Sequence, residues 1–122
     1  MARAHGFTGD DRSLITDIRA RTFAQMRAGA LTLDIIVPVL PFHHEIMKRA
    51  VRMPMSGSQV PVATAEDLFV LKALWFRPKD VADLHVLATI GDRLDRNYVR
   101  KKLRELLPAD DPRVAEVDRI LA

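Results

Sequence analysis

A chain of 122 residues that is 48% apolar and 29% charged has the composition of a folded domain able to bury a core, which excludes wholesale disorder. Its net charge of +3 gives only a weak average field, and the absence of cysteine excludes a disulfide framework and thiolate chemistry. No run approaches the roughly 18 apolar residues a membrane span needs, and the first residues lack the apolar core of a signal peptide, so a cytoplasmic, bacterial-type protein without a membrane partner is expected.

Residues 1–20 carry no clear period; Gly6, Gly9, Asp10, Asp11 and Ser13 predict loop, with one helical turn near Leu14–Ile18. Arg27-Ala28-Gly29-Ala30 reads as a turn, followed by the strongest strand signal, Leu31 to Val37. Leu31, Leu33, Ile35 and Val37 fall on one face at period two, while Thr32, Asp34 and Ile36 fall on the other. The turn joins this strand to the preceding run as a β-hairpin. Pro41 suits the first turn of a helix through His43–Ala50, because its missing N–H costs nothing there. Val51–Met55 and Gln59–Val62, flanking Ser56-Gly57-Ser58, predict a second hairpin. Pro54 cannot donate to a ladder and places its strand at an edge.

From Val62 onward the period becomes helical. Thr64 with Asp67 three residues on makes a start like a capping box, and Leu68, Leu71 and Trp75 form the expected buried stripe, widened by Val70 and Leu74. Pro78 ends this helix and, with Asp80, begins another to about Ile90, closed by Gly91. A third helix spans Asp95–Leu107, and Asp111-Pro112 opens a fourth with Val114, Val117, Ile120 and Leu121 inward. The expected fold is therefore α+β, a single domain over 1–122 with a mixed part at 1–62 and a helical part at 63–122.

Candidate chemistry lies in few places. Asp34 interrupts an apolar strand, so its carboxylate is paired, hydrogen-bonded or bound to a metal; the plainer alternatives are an exposed sheet face or a salt bridge to an Arg such as Arg21. Lys72 has apolar neighbours at Leu68 and Trp75 and either snorkels to solvent or reaches an acidic or phosphate partner. Arg77, Lys79, Asp80 and Asp83 form the densest cluster; a cap at Asp80 plus a Lys79–Asp83 pair is the plain account. His43-His44-Glu45 lacks zinc-ligand spacing, and His5 and His85 are isolated. Arg93, Arg96, Arg100, Lys101, Lys102 and Arg104 crowd a dozen residues and form either a solvated helix face or a phosphate-binding run.

Together these segments resemble the nucleotidyltransferase-fold family that includes the AbiEii-type abortive-infection toxins. Leu33-Asp34-Ile35 resembles the family's third-carboxylate strand. Thr64 through Lys72 is similar to its Glu/Lys helix, matching at Glu66, Asp67 and Lys72. Arg77-Pro78-Lys79-Asp80-x-x-Asp83 resembles its Arg-x-Lys-Asp-x-x-Asp motif. The resemblance covers about residues 5–107 and implies a partial nucleotidyltransferase-like mixed sheet with two hairpins, followed by a C-terminal helical bundle.

It also implies NMP transfer from an NTP with Mg²⁺ as cofactor. In that chemistry Asp34 acts as a catalytic carboxylate and metal ligand, and Lys72 and Asp80 stand in the catalytic site. Lys72, Arg77, Asp83 and Glu66 face the nucleotide. An RNA acceptor, an antitoxin and a homodimer are the partners it suggests.

The family's Gly-Ser motif with a downstream Asp-x-Asp has no counterpart before Asp34: Asp10 and Asp11 are adjacent, and Gly57-Ser58 comes later. The chain is thus expected to begin partway into the family fold and to be incomplete or inactive alone. The other expectations are a non-catalytic nucleotide- or RNA-binding remnant of the same fold, and a small helical RNA-binding protein using Arg93–Arg104.

Overall fold

The alternation of short strands and capped helices read from the sequence is what the computed structural model contains. It describes residue 6, residues 8–21 and residues 23–122. Among these, there are four strands in two antiparallel hairpins and six α-helices, so the fold class is α+β with a C-terminal helical region. No helix among the described residues is long and apolar enough to cross a membrane. By its contacts the chain divides into two compact units, residues 1–45 and 46–122.

In the first unit, helix α1 (Asp11–Arg21) packs against strand β1 (Phe23–Ala28), which pairs with β2 (Leu31–Ile36). The expectation of a loop with a single helical turn here is corrected to a three-turn helix. Its cause is local: the Asp10 carboxylate accepts the Ser13 N–H at 2.8 Å, and the Asp10 carbonyl accepts the Leu14 N–H. Asp10 is thus an N-cap, and its flanking glycine makes the cap look like loop in the sequence.

Gly29, at a φ of 57°, supplies the positive angle that the two-residue turn between β1 and β2 requires. The register Gln25↔Asp34 and Met26↔Leu33 turns Ala24 and Met26 inward and leaves Gln25, Arg27, Thr32 and Asp34 exposed on the opposite face. Thr8 bridges the other side of β1, pairing with Arg27. The outward edge of β2 is left unpaired among the described residues.

Helix α2 (Pro41–Arg49) starts at Pro41 as expected and enters the second unit. Strands β3 (Val51–Met55) and β4 (Ser58–Val62) follow, joined by Ser56 and Gly57, both at positive φ, as a type I′ turn needs. The loop is thus two residues, not three, and Ser58 belongs to the ladder. Counting outward from the closing pair Met55↔Ser58, the pairs Pro54↔Gln59 and Arg52↔Pro61 are the ones whose N–H groups point away from the partner strand. One proline sits on each strand at such a position, so each edge of this hairpin lacks a donor for strand addition.

The rest of the second unit is helical: α3 (Ala65–Trp75), α4 (Pro78–Ala88), a 3-10 turn at Gly91–Arg93, α5 (Arg96–Leu106) and α6 (Pro112–Ile120). Helix α3 packs against α4, α5 and α6. Phe69, Val70, Ala73, Leu84, Leu94, Val99, Leu103, Val117 and Leu121 are the buried apolar residues of this unit. Of the expected face of α3, Val70 is buried, but the centre moves from the Leu68–Leu71–Trp75 stripe to Phe69, Val70 and Ala73, while Trp75 is 39% exposed. With three partners, α3 buries more than one stripe, and its nearly all-apolar sequence leaves the phase undetermined.

Candidate functional site

The chain reverses between α3 and α4 in two residues. Phe76 takes the left-handed conformation at a φ of 53°, and its N–H closes on the Lys72 carbonyl at 2.9 Å. Arg77 is extended and Pro78 occupies the first helical position of α4, where its fixed φ is an asset. This tight corner brings the last turn of α3, carrying Lys72, against the first turn of α4, carrying Asp80 and Asp83.

Four charged groups meet there. The Asp80 carboxylate accepts the Arg77 backbone N–H at 3.1 Å, Arg77 Nε–H at 2.6 Å and Arg77 Nη2–H at 3.3 Å. Lys72 Nζ lies 3.7 Å from Asp80 and donates to Asp83 at 2.5 Å. Asp80 is fully buried, whereas the Asp83 side chain is 51% exposed. The Arg77 hydrogen bonds, helped by the nearby Lys72 charge and opposed by burial, hold the Asp80 carboxyl below the usual carboxylate range. The Arg77 guanidinium also lies over the Trp75 ring, 5.0 Å from its centroid.

Lys72 therefore reaches acidic partners instead of snorkelling past the core. Asp83 takes Lys72, not the Lys79 that helical spacing suggested.

The other expected residues are elsewhere. The Glu66 carboxylate accepts the Asp95 N–H at 2.9 Å, which ties α3 to the start of α5. It lines an open groove of about 550 Å³ with Asp92, Arg93, Asp95, Arg96 and Arg100. Asp34 sits on the exposed face of its hairpin in the first unit, accepting Gln25 Nε2–H at 2.8 Å. The side chain of Arg21, the partner considered for Asp34, and all of His5 lie outside the described residues.

The basic run along α5 is largely bound within the fold. Arg96 donates to the carbonyls of Leu121 and Ala88, Arg100 and Arg104 both pair with Asp118, and Lys102 pairs with Glu105. Cations holding helix ends and carboxylates are weaker phosphate ligands than the sequence suggests, because binding would break these bonds.

A second buried carboxylate, Asp67, gave no clear signal of its partners in the sequence. It accepts Arg49 Nε–H at 3.0 Å and the Tyr98 hydroxyl at 2.6 Å, and the Arg49 guanidinium stacks 4.0 Å from the Tyr98 ring centroid. The Asp67 N–H is capped by Thr64 Oγ1, so the predicted cap forms in one direction only. Burial and the Asp67 hydrogen bond push the Tyr98 hydroxyl up to about 12.

No three His, Asp or Glu side chains among the described residues converge as metal ligands. Asp80 and Asp83 face cations, so a Mg²⁺ ion at that corner would have to displace Lys72. Asp34 accepts one neutral hydrogen bond on an exposed face and could serve as one ligand of a larger set, but a lone carboxylate does not hold Mg²⁺ without further donors.

No curated protein matches the chain. Residues 21–117 match the family described as "Nucleotidyl transferase of unknown function (DUF2204)", a span that includes Asp34, Glu66, Lys72, Arg77, Asp80 and Asp83, and the chain belongs to that nucleotidyltransferase-like family.

Proposed function

We propose that this chain supplies the nucleotide-facing wall of an AbiEii-type nucleotidyltransferase. The observation that carries this reading is the convergence of Lys72, Arg77, Asp80 and Asp83 at one helix corner in a chain of this family. The reaction would join an acceptor hydroxyl oxygen to the α-phosphorus of an NTP. The bond from that phosphorus to the β-phosphate oxygen breaks, releasing pyrophosphate, and the hydroxyl proton passes to solvent or a base.

In this reading Lys72 opposes the charge that builds on the leaving phosphates. Asp80, locked by Arg77, orients the corner, and Arg77 and Asp83 border the nucleotide. Asp34, which accepts one neutral hydrogen bond on an exposed face, would serve as one Mg²⁺ ligand and would need further donors to complete the set. Glu66, hydrogen-bonded to the start of α5, acts by positioning. RNA as acceptor, a protein antitoxin and a homodimer belong to the same reading. The proline-blocked edges of β3 and β4 favour the open edge of β2 for any strand-mediated dimer.

The test is transfer of label from an α-labelled NTP to RNA or protein in the presence of Mg²⁺, with Lys72→Met as control. Label transferred by the chain joined to a carboxylate-bearing segment or partner, and lost in Lys72→Met, supports the proposal; label that persists at full rate in Lys72→Met removes Lys72 from the site.

A second reading is a non-catalytic nucleotide-binding module. It is favoured by the mutual neutralisation of Lys72 and Arg77 with Asp80 and Asp83. Saturable NTP binding without transfer under any of these conditions selects it.

A further inference from the structure

The two carboxylates beside Lys72 are held in different ways. Asp80 is fully buried and tied to the Arg77 backbone and guanidinium, so moving it would strip the start of α4 and break these bonds with Arg77. Asp83 is half exposed, and its partner among the described residues is Lys72. Among the described residues, the ion pairs of the corner match two cations, Lys72 and Arg77, with two carboxylates, Asp80 and Asp83. Turning Asp83 out to solvent leaves one net positive charge at a site whose ammonium has just lost its nearest acceptor. A half-exposed ion pair is worth about 1 kcal/mol or less, whereas a phosphate offers the same ammonium more than one charged oxygen.

We propose that Asp83 is a displaceable counter-ion: it occupies Lys72 in the nucleotide-free protein and yields it to a phosphate group of the incoming nucleotide. This deepens the reading of the corner as a nucleotide wall and rests on it. Asp83 is a positioning and gating residue, in direct competition with the ligand. A residue that only braced two helices would affect stability when neutralised and leave ligand affinity unmoved.

Trp75 makes this measurable. It is the only tryptophan in the chain, lies three residues from Lys72 on α3, is 39% exposed and carries the Arg77 guanidinium over its ring. Its fluorescence reports on the corner alone. Inorganic pyrophosphate and ATP, without divalent cation, are titrated against the wild-type chain, Asp83→Asn and Lys72→Met, with calorimetry as a second readout. Acylation of Lys72, read by mass spectrometry against the exposed Lys79, reports independently on whether the ammonium is occupied.

The expected result is about fivefold tighter pyrophosphate and ATP binding by Asp83→Asn, the equivalent of releasing a half-exposed pair. Binding is lost in Lys72→Met. Lys72 acylation is slower than that of Lys79 in the wild type and faster in Asp83→Asn. If Asp83→Asn binds equally or more weakly while Lys72→Met still loses binding, the gate is overturned and the nucleotide wall stands. If neither the wild type nor Asp83→Asn binds either ligand, the wall itself fails and the gate with it.

Discussion

Asp67 and Asp80 are both fully buried carboxylates, one in the first turn of α3 and one in the first turn of α4. Each holds an arginine, but the rest of their surroundings differ. Asp67 is closed by Arg49 and a neutral donor, the Tyr98 hydroxyl. Asp80 shares its cation, Lys72, with a second carboxylate that is half in solvent. In the first arrangement the second partner is a neutral hydroxyl, although the Glu66 carboxylate also acts on Arg49 through its charge. The second arrangement has a half-exposed member, Asp83, which the proposed gate takes as exchangeable. Burial of an acidic group is common to both centres and so does not by itself distinguish them.

The comparison can be broken most strongly at Arg49. Arg49→Met leaves the Asp67 carboxylate buried with only Tyr98 beside it, and uncompensated buried charge is costly, so a loss of about 3 kcal/mol is expected. The Arg49 side chain is 43% exposed, so the substitution vacates little volume and the loss tests the charge itself. Urea unfolding read by Trp75 fluorescence measures it, and an unchanged midpoint would show that the Arg49–Asp67 pair contributes nothing net to the fold. Asp80→Ala removes a helix start and a pair with a half-exposed arginine, for which about 1–2 kcal/mol is expected. Its larger signature is at the corner: Lys72 and Arg77 are left with one carboxylate, Asp83, so pyrophosphate affinity rises while Arg49→Met, measured at the same folded fraction, leaves it unmoved.

The sequence revealed the Asp80 corner better than the Asp67 centre, and the reason is distance along the chain. Lys72, Arg77, Asp80 and Asp83 fall within a dozen residues, and a proline between two helical periods forces a corner there. Local rules reach that far. Asp67 draws its partners from 18 and 31 residues away, and nothing local pairs Arg49 or Tyr98 with it. The two hairpins were legible through period-two patterning and glycine turns, and α2 and α6 through prolines at their first positions. The phase of α3 was not, since Leu68, Phe69, Val70, Leu71, Ala73, Leu74 and Trp75 leave Lys72 as the sole polar marker between them. Helix α1 was missed because an aspartate beside a glycine signals a cap and a loop equally well. The exposed position of Asp34 was legible as an alternative, since the alternation places it opposite Leu33 and Ile35.

Tyr98 sharpens the architectural side of the comparison. It is the only tyrosine, so phenolate absorbance reads it alone. Its hydroxyl is raised to about 12 by burial and the Asp67 bond, above the value of about 10 in an unfolded chain. A raised folded-state value means the contribution is whole below about pH 10 and is lost as pH climbs through about 12. Tyr98→Phe should cost about 1 kcal/mol at neutral pH and flatten the alkaline fall in stability. A phenolate midpoint near 10 would mean the Asp67 bond is not maintained in solution.

The smallest effect is expected at the start of α6, which joins neither centre. Asp111 accepts the Arg113 N–H and Nε–H on one oxygen and Nη2–H on the other, while Arg113 Nη1–H donates to the Leu74 carbonyl at the end of α3. The Arg113 hydrogen bonds lower the Asp111 carboxyl to about 2. A lowered folded-state value places its contribution above the unfolded value of about 4, and it is lost as pH falls from there toward 2. Asp111→Asn keeps an acceptor for the cap but removes the titration, so part of the acid slope in the urea midpoint should vanish across that window. Asp80 titrates in the same direction from its own lowered value, so a remaining slope is expected. If Asp111→Asn leaves the slope unchanged, Asp80 and other carboxylates carry it, and the Asp111–Arg113 pair adds nothing to the hydrogen bond from Arg113 to the Leu74 carbonyl.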